Sequence, residues 1–287
     1  MTTTADTLGH FLDVLRPYED ADGRLVARSI PLGERVVFGG QLMAQAIAVA
    51  GARQPDKSVM TVHITFTRGG DPTTLLDVEV DEILAGRSFG AVTVTFRQRG
   101  KVCARAQVQL SGSEPYVFRH AQDPPAVPGP DPAVAGPTQG NREWLTQVVD
   151  GIDVMVTDQE HPAALSVWSR WPAAPSDPMV GRQLLAWASD PWLIGTSMLP
   201  HAGFGQDRAH VDLSTGVITH TLTFHEDPDA SGWLLLDQEV PWAGGGRVAG
   251  RGLVFDEQGR LVASFTQDAM VRPARSAAPN QPARRVL

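Results

Sequence analysis

The acid that stands out in this sequence is Asp190, which closes the apolar stretch 184–189. A carboxylate at the end of a segment built for burial can act as a general base toward water or a substrate proton. The alternative is that Asp190 caps a short helix whose first residue is Pro191. A second helix-like segment, Gly39 to Arg53, holds no acid. The two segments are therefore not equivalent, and the difference is where chemistry could reside.

Two further groups are candidates for binding a substrate. Gly39, Gly40 and Gln41 open the first helix-like segment, where small side chains and free N–H groups can meet an anion or a polarised carbonyl. The alternative is a tight turn between a strand and a helix. His63 lies among threonines on one face of a predicted strand and is a candidate for substrate binding, or it occupies the exposed side of that strand.

Several common catalytic signatures are absent from the sequence. It contains no Gly-x-Ser-x-Gly elbow, because its one such pattern, Gly86 to Gly90, falls between two predicted strands and not before a helix. It has no His-Glu-x-x-His, and Gly100-Lys101 is followed by Val102 where a P-loop needs Ser or Thr. His220 and His225 are five apart, so strand alternation places them on opposite faces and predicts structural roles for both. Cys103, the single cysteine, is interpreted as a small core residue. We therefore expect no metal and no organic cofactor.

Composition predicts a folded protein without nucleic-acid chemistry. The chain has 287 residues, 42% hydrophobic and 20% charged, with 24 basic against 32 acidic side chains and a net charge of −8. That sign is wrong for binding to phosphate backbones. The longest apolar stretch, Leu42 to Ala52, is about half of the ~20 residues that cross a bilayer, so no membrane span is expected. With one cysteine and no secretory pattern at the start, we expect a cytoplasmic setting.

The same order of elements occurs twice along the chain. Each half contains five segments with strand-like alternation, and one helix-like segment follows the first of them. The predicted strands are 24–30, 60–68, 75–84, 88–99 and 101–110 in the first half, and 165–171, 217–224, 233–240, 247–255 and 260–270 in the second. The second helix is predicted at Gly181 to Ser189. Matching residues such as Phe96 and Phe255, or Lys101 and Arg260, recur at a constant offset, which indicates an internal repeat.

This pattern predicts an α+β fold. A helix that is apolar on nearly every face must be wrapped, and an antiparallel sheet that curls around it does so. We expect a tandem, or double, hotdog in which two antiparallel sheets each wrap a central helix and meet edge to edge. The predicted units are a first hotdog at 1–113, a Pro-rich linker at 114–140, a second hotdog at 141–272 and a flexible tail at 273–287.

Short motifs in the same order and spacing make the chain resemble the type II acyl-CoA thioesterases, the TesB-like double-hotdog family. The motifs are Phe38-Gly39-Gly40-Gln41, Arg68-Gly69-Gly70-Asp71, Gly86-Arg87-Ser88-Phe89, Ala188-Ser189-Asp190, Phe224-His225 and Gln267 within the segment 262–267. The resemblance spans most of the chain from Phe38 to Arg272. It leaves the linker and the tail unaligned.

The resemblance also implies a set of catalytic residues. In this family an Asp, a Gln and a Thr or Ser hold the water that attacks the thioester, which implies roles for Asp190 and Gln267. The hydroxyl position falls on Val217, counting back from Phe224-His225, and valine cannot orient water. Thr215 and Thr219 share a face of the strand by simple alternation, and Thr219 is the expected replacement.

The function that follows is hydrolysis of acyl-CoA to a free acid and CoA by an activated water. The resemblance implies an acyl-CoA substrate, and we expect a homo-oligomer, either a dimer or a tetramer. Two alternatives stay open. The missing hydroxyl at Val217 favours a noncatalytic acyl-CoA binding or sensing protein, and a hotdog enoyl-CoA hydratase is a less favoured reading because position 195, where that enzyme needs a histidine, is Gly.

Overall fold

A computed structural model of the chain describes residues 4–30, 32, 36–138, 141–156 and 158–274. Most of the tail predicted at 273–287 therefore lies outside the described residues. The first half contains α1 (Thr4–Val14), β1 (Tyr18–Glu19), β2 (Leu25–Ala27), α2 (Gly39–Arg53), β3 (Ser58–Phe66), β4 (Leu76–Ala85), β5 (Phe89–Gln98) and β6 (Lys101–Ser111). The second contains β7 (Gly136–Thr138), β8 (Asn141–Val148), β9 (Ala164–Arg170), α3 (Pro178–Ser189), α4 (Leu193–Met198), β10 (Leu213–Phe224), β11 (Leu234–Gly244), β12 (Arg247–Asp256) and β13 (Leu261–Pro273).

The described strands form one continuous sheet of thirteen strands, in the order β1-β2-β4-β5-β6-β3-β10-β13-β12-β11-β9-β8-β7. The halves join where β3 pairs antiparallel with β10, with His63 opposite Thr221. Each half thus covers an edge that the other would leave unpaired. The two sheets predicted from the sequence meet edge to edge as expected and form one continuous sheet.

The two long helices, α2 and α3, lie side by side, and α2 packs against β3, β5 and β6. Both are buried nearly all round, as their apolar circumference predicts. They approach closely where α2 begins, because a Cβ on Gly40 would stand 2.9 Å from the carbonyl oxygen of Trp187. Trp187 itself packs against Phe38, with ring centroids 4.6 Å apart. The start of α2 is therefore fixed against the end of α3.

The segment between the halves crosses the outer face of the second half of the sheet. Trp168 donates a hydrogen bond to the carbonyl of Pro128 at 2.9 Å, and Val127 packs on an apolar cluster that includes Trp233 and Phe255. The Pro-rich segment covers apolar side chains that would otherwise face water on that side.

Candidate active site

Asp190 lies at the carboxyl end of α3, directly against the start of α2 in the other half. It is 4% exposed. Its Oδ2 accepts a hydrogen bond from the backbone N–H of Gly40 at 3.0 Å. Phe38, which precedes α2, offers no side-chain cap, so the carboxylate of the second half satisfies a donor at the start of the first half's helix. Its side chain does not cap α4, which begins after Trp192 without a side-chain cap.

His220 and Gln267 approach the other oxygen of this carboxylate. The Nδ1 atom of His220 lies 3.3 Å from Asp190 Oδ1, and Gln267 Nε2 lies 3.4 Å from the same oxygen. Gln267 Nε2 also donates to the backbone carbonyl of Asp190 at 3.0 Å. All three side chains are almost fully buried, with His220 at 0% and Gln267 at 2% exposure. A carboxylate, an imidazole and an amide therefore meet at one point in the interior.

The register of two strands brings His220 and Gln267 together. They are direct partners across the β10–β13 pair, so their side chains leave the sheet on the same face. The sequence signalled only that His220 and His225 occupy opposite faces. His225 is exposed, with its Nε2 3.0 Å from Ser264 Oγ. Sequence reasoning assigned His220 a structural role and missed its place beside Asp190.

Thr219 is not brought to this cluster. A β-bulge interrupts the β10–β13 pairing between Val217 and Thr219, which inserts one residue and reverses the alternation beyond it. The Thr219 hydroxyl therefore points outward and donates to Asp268 Oδ2 at 3.0 Å. The expectation that Thr215 and Thr219 share a face is wrong for this reason. Val217, opposite the buried Ala269, faces the interior side.

The residues proposed for substrate binding are placed in three different ways. Gly39 lies against Asp190, and a Cβ there would meet Oδ2 at 2.9 Å. Gly40 contributes the N–H that the carboxylate accepts. Gln41 is 1% exposed and holds the preceding segment, accepting from the N–H of Ile30 at 2.9 Å. His63 lies on the outer face, with its Nδ1 2.8 Å from the hydroxyl of Thr221. Their contacts with substrate stay a prediction.

Within the described part of the chain, no group of three or more His, Cys, Asp or Glu side chains is arranged to hold a metal ion. Cys103 is 1% exposed, and burial raises the pKa of its thiol. A thiol in that state is a poor nucleophile near neutral pH. Among the described residues, none of the helices has the length and apolar character needed to cross a membrane.

Comparison with known families accounts for most of the chain. Residues 27–111 match the acyl-CoA thioesterase N-terminal domain, and residues 119–271 match the acyl-CoA thioesterase C-terminal domain. The chain belongs to the acyl-CoA thioesterase family. It is a thioester hydrolase, and the predicted resemblance is confirmed. The C-terminal match contains Asp190, His220 and Gln267.

Individual thioesterases are similar over nearly their whole length. The chain is 28% identical over 268 residues to acyl-coenzyme A thioesterase 8 of Mus musculus, which covers 85% of this chain and 82% of the relative. Acyl-CoA thioesterase 2 of Haemophilus influenzae is 26% identical over 298 residues, or 93% of this chain and 99% of the relative.

Solved structures of the family share the fold. The tesB protein of Mycobacterium avium subs paratuberculosis has a TM-score of 0.78 at 25% identity, over 93% of this chain and 100% of that one. The acyl-CoA thioesterase II TesB2 of Mycobacterium marinum gives 0.77 at 25% identity, over 94% and 100%. The predicted double hotdog is confirmed by these neighbours.

Proposed function

We propose that this thioesterase hydrolyses acyl-CoA with a water activated by Asp190 and oriented by Gln267. The observation that carries the proposal is the contact between the buried Asp190 carboxylate and the buried Gln267 amide, at the junction of α2 and α3. A thioester carbonyl is electrophilic, so hydrolysis needs mainly a positioned water, a base for its proton and donors for the developing oxyanion.

The Gln267 amide has one polar atom free for this task. Its Nε2 donates to Asp190, whereas its buried Oε1 accepts no hydrogen bond from any described residue. Buried polar atoms are generally paired with protein or with water. A water that donates one hydrogen to Oε1 and the other to the carboxylate would have a lone pair free to attack.

The chemical step balances with these groups alone. The water oxygen forms a bond to the thioester carbon while Asp190 takes one water proton, and the carbonyl electron pair moves to its oxygen. Collapse of the tetrahedral intermediate breaks the carbon–sulfur bond and expels the CoA thiolate, which receives the proton from Asp190. The products are the free acid and CoA, and the carboxylate is regenerated.

The experiment compares Asp190→Asn with Asp268→Asn, measuring thiol release from a panel of acyl-CoAs. Asp268 follows Gln267 on β13 but binds Thr219 on the outer face. We expect Asp190→Asn to lower kcat by about 100-fold or more with little change in KM, because the base acts on water and not on CoA. Asp268→Asn should keep normal turnover. Equal activity of the two variants would reject Asp190 as the base.

A noncatalytic acyl-CoA binding protein is distinguished by the same assay. It would release no thiol from any substrate of the panel while still binding acyl-CoA. Gln267→Ala adds a second check, since loss of the amide should depress kcat and leave folding nearly intact. A large loss of stability in Gln267→Ala with normal turnover would show that Gln267 has a packing role and not a catalytic one.

We further propose that the enzyme acts as a homo-oligomer in the cytoplasm. Large apolar side chains are exposed at one end of the first half and in the linker, among them Phe89 at 54% and Phe118 at 79% exposure. A second copy would remove such groups from water. The free, buried Cys103 suits a reducing compartment. Light scattering at several concentrations tests the assembly, and a purely monomeric mass would exclude it; cell fractionation tests the compartment.

A further inference from the structure

His220 makes a second buried contact, with Ser189, in addition to its contact with Asp190. The Nε2 atom of His220 lies 3.3 Å from Ser189 Oγ, while its Nδ1 faces Asp190 at 3.3 Å. Ser189 and His220 are both 0% exposed. The ring of Phe265 packs on the imidazole with centroids 5.8 Å apart. The imidazole is thus held at both nitrogens and on one side.

The hydrogen-bond partners of His220 decide whether the nitrogen that faces the Asp190 carboxylate is protonated. An ionised carboxylate only accepts, so His220 Nδ1 must donate to Asp190. The Ser189 hydroxyl has one proton and two acceptors in reach, His220 Nε2 and the carbonyl of Ala186 at 3.1 Å. If it donates to Nε2, the imidazole is neutral; if it donates to Ala186, Nε2 donates to it and the imidazole is cationic. Nδ1–H points at Asp190 in both arrangements.

Gln267 contacts the same carboxylate in a different way. Its Nε2 lies 3.3 Å from His220 Nδ1, but both atoms then carry protons and neither accepts. The Gln267 amide donates to the backbone carbonyl of Asp190 at 3.0 Å, and the same nitrogen lies 3.4 Å from Asp190 Oδ1. His220 therefore contacts the carboxylate alone, whereas Gln267 also holds the backbone that carries it.

We infer that His220 is a positioning residue for hydrolysis, held by Ser189, which sets the orientation of the Asp190 carboxylate. This inference rests on the proposed function. His220 thereby gives the Asp190 carboxylate a buried polar partner in a chain whose family hydroxyl position is Val217. Ser189 is not the nucleophile in this arrangement, because its hydroxyl is fully buried in the last turn of α3 and no substrate carbon can approach it.

The test compares three replacements of His220, with kcat and KM measured separately and thermal unfolding recorded for each. His220→Asn keeps an N–H close to the place of Nδ1, His220→Gln keeps one close to the place of Nε2, and His220→Leu keeps neither. We expect kcat to fall about 100-fold in His220→Leu with KM nearly unchanged, since a misplaced base slows chemistry and not binding. His220→Asn should recover at least 10-fold more activity than His220→Gln. Equal activity of the Asn and Gln variants would overturn the inference, even if His220→Leu fails to fold.

Ser189→Ala separates positioning from covalent catalysis. We expect a loss of less than about 10-fold, because Asp190 still accepts from Nδ1. Mass spectrometry of the enzyme quenched during turnover should show no acyl adduct. A Ser189-linked acyl group would make Ser189 the nucleophile and would overturn both the inference and the proposed attack by water. Abolition of activity without an adduct would contradict the small loss expected here. The comparison of His220→Asn with His220→Gln tests the inference alone, whereas Asp190→Asn decides whether Asp190 is the base.

Discussion

Two neighbouring side chains on β10 face opposite sides of the sheet and have different surroundings. His220 is fully buried beside Asp190, whereas Thr219 donates to Asp268 at the outer surface. Neighbours in a strand always face opposite sides, and the bulge between Val217 and Thr219 decides that His220 and not Thr219 points inward. The hydroxyl at position 219 therefore lies on the opposite face of the sheet from Asp190.

This placement predicts that Thr219→Val leaves turnover within about 2-fold of the wild type, as expected for a surface change with no contact to the site. Thr215→Val, on the interior face where Thr215 is 4% exposed, is the matched comparison. Steady-state thiol release for both variants checks the prediction. If Thr219→Val slows turnover more than 10-fold, the bulge is absent in solution and the threonine belongs to the water site.

Some site residues were readable from the sequence and others were not. Asp190 was identifiable because an acid ends a segment otherwise built for burial. Gln267 came only from the family resemblance, since nothing in an alternating strand distinguishes one amide. His220 had one usable signal: period two from Phe224 puts it with Leu222 on the buried side, and a buried histidine needs partners. The bulge has no signature in a strand of ordinary β-formers.

At the scale of elements, the start of α2 and the end of α3 share a contact in which only glycine fits. A Cβ at Gly39 would meet Asp190 Oδ2 at 2.9 Å and the ring of Phe66 at 3.0 Å. An added methyl group must therefore displace the carboxylate, the ring or the helix start. The glycine pair that suggested a substrate contact also has a packing role.

Gly39→Ala should accordingly lower kcat by about 10-fold or more, because a displacement of even 1 Å at the reacting groups is costly. Gly9→Ala in α1 is the control, since nothing lies within 4 Å of its Cβ position. That control should raise the free energy of unfolding by about 0.5–1 kcal/mol through helix propensity, with normal activity. Normal kcat in Gly39→Ala would show that the carboxylate tolerates movement.

Strand β8, which lies between β9 and the edge strand β7, carries a buried acid that makes stability depend on pH. Glu143 is 6% exposed, and burial raises the pKa of its carboxyl group. A pKa raised on folding means that the folded chain holds the proton more tightly. The contribution to stability is present at low pH and is lost as pH rises through the folded pKa.

Glu143→Gln should therefore raise Tm by about 2 °C at pH 8, where the carboxylate is ionised in the wild type, and change it little near pH 4. Differential scanning calorimetry at both pH values measures the difference. An increase in Tm of the same size at both pH values would show that the effect comes from packing and not from ionisation of Glu143.

Elements that depend on distant contacts were the ones missed from the sequence. The long strands and both central helices follow from their periodicity, whereas α1, α4, β7 and β8 were not predicted. In α1, the ring of Phe11 packs on Trp171 at 5.0 Å and on Trp187 at 4.8 Å. Residues far away in the chain thus stabilise a short helix of modest propensity, which local patterns do not reveal.

At the scale of the whole molecule, the internal repeat predicts a tandem fold but does not predict which contacts hold the two halves together. The seam of β3 and β10 carries side-chain pairs on its outer face, such as Thr61 with Thr223 at 3.1 Å. On the inner side Arg182 of α3 crosses the seam, donating to the carbonyl of Val59 at 3.0 Å and pairing with Asp227 at 2.6 Å. The proposed active site, where Asp190 of one half meets Gly40 of the other, lies between the halves, so its geometry depends on this junction.

Arg182→Met tests how much the Arg182 side chain contributes to the free energy of unfolding. The Arg182 side chain is 6% exposed, and its removal leaves the Val59 carbonyl without that donor and the Asp227 carboxylate without its charge partner. We expect a loss of about 2 kcal/mol in the free energy of unfolding by urea, mainly from the unpaired carbonyl of the buried Val59, because the Asp227 side chain is 61% exposed and water replaces its partner. Arg260→Met is the matched control, because Arg260 pairs with Asp256 in a hairpin with its side chain 60% exposed, and an exposed pair contributes about 1 kcal/mol or less. Losses of equal size in the two variants would mean that the seam is held by its strand pairing alone. A selective fall in kcat of Arg182→Met at temperatures where it stays folded would show that the same contact also aligns Asp190 with the start of α2.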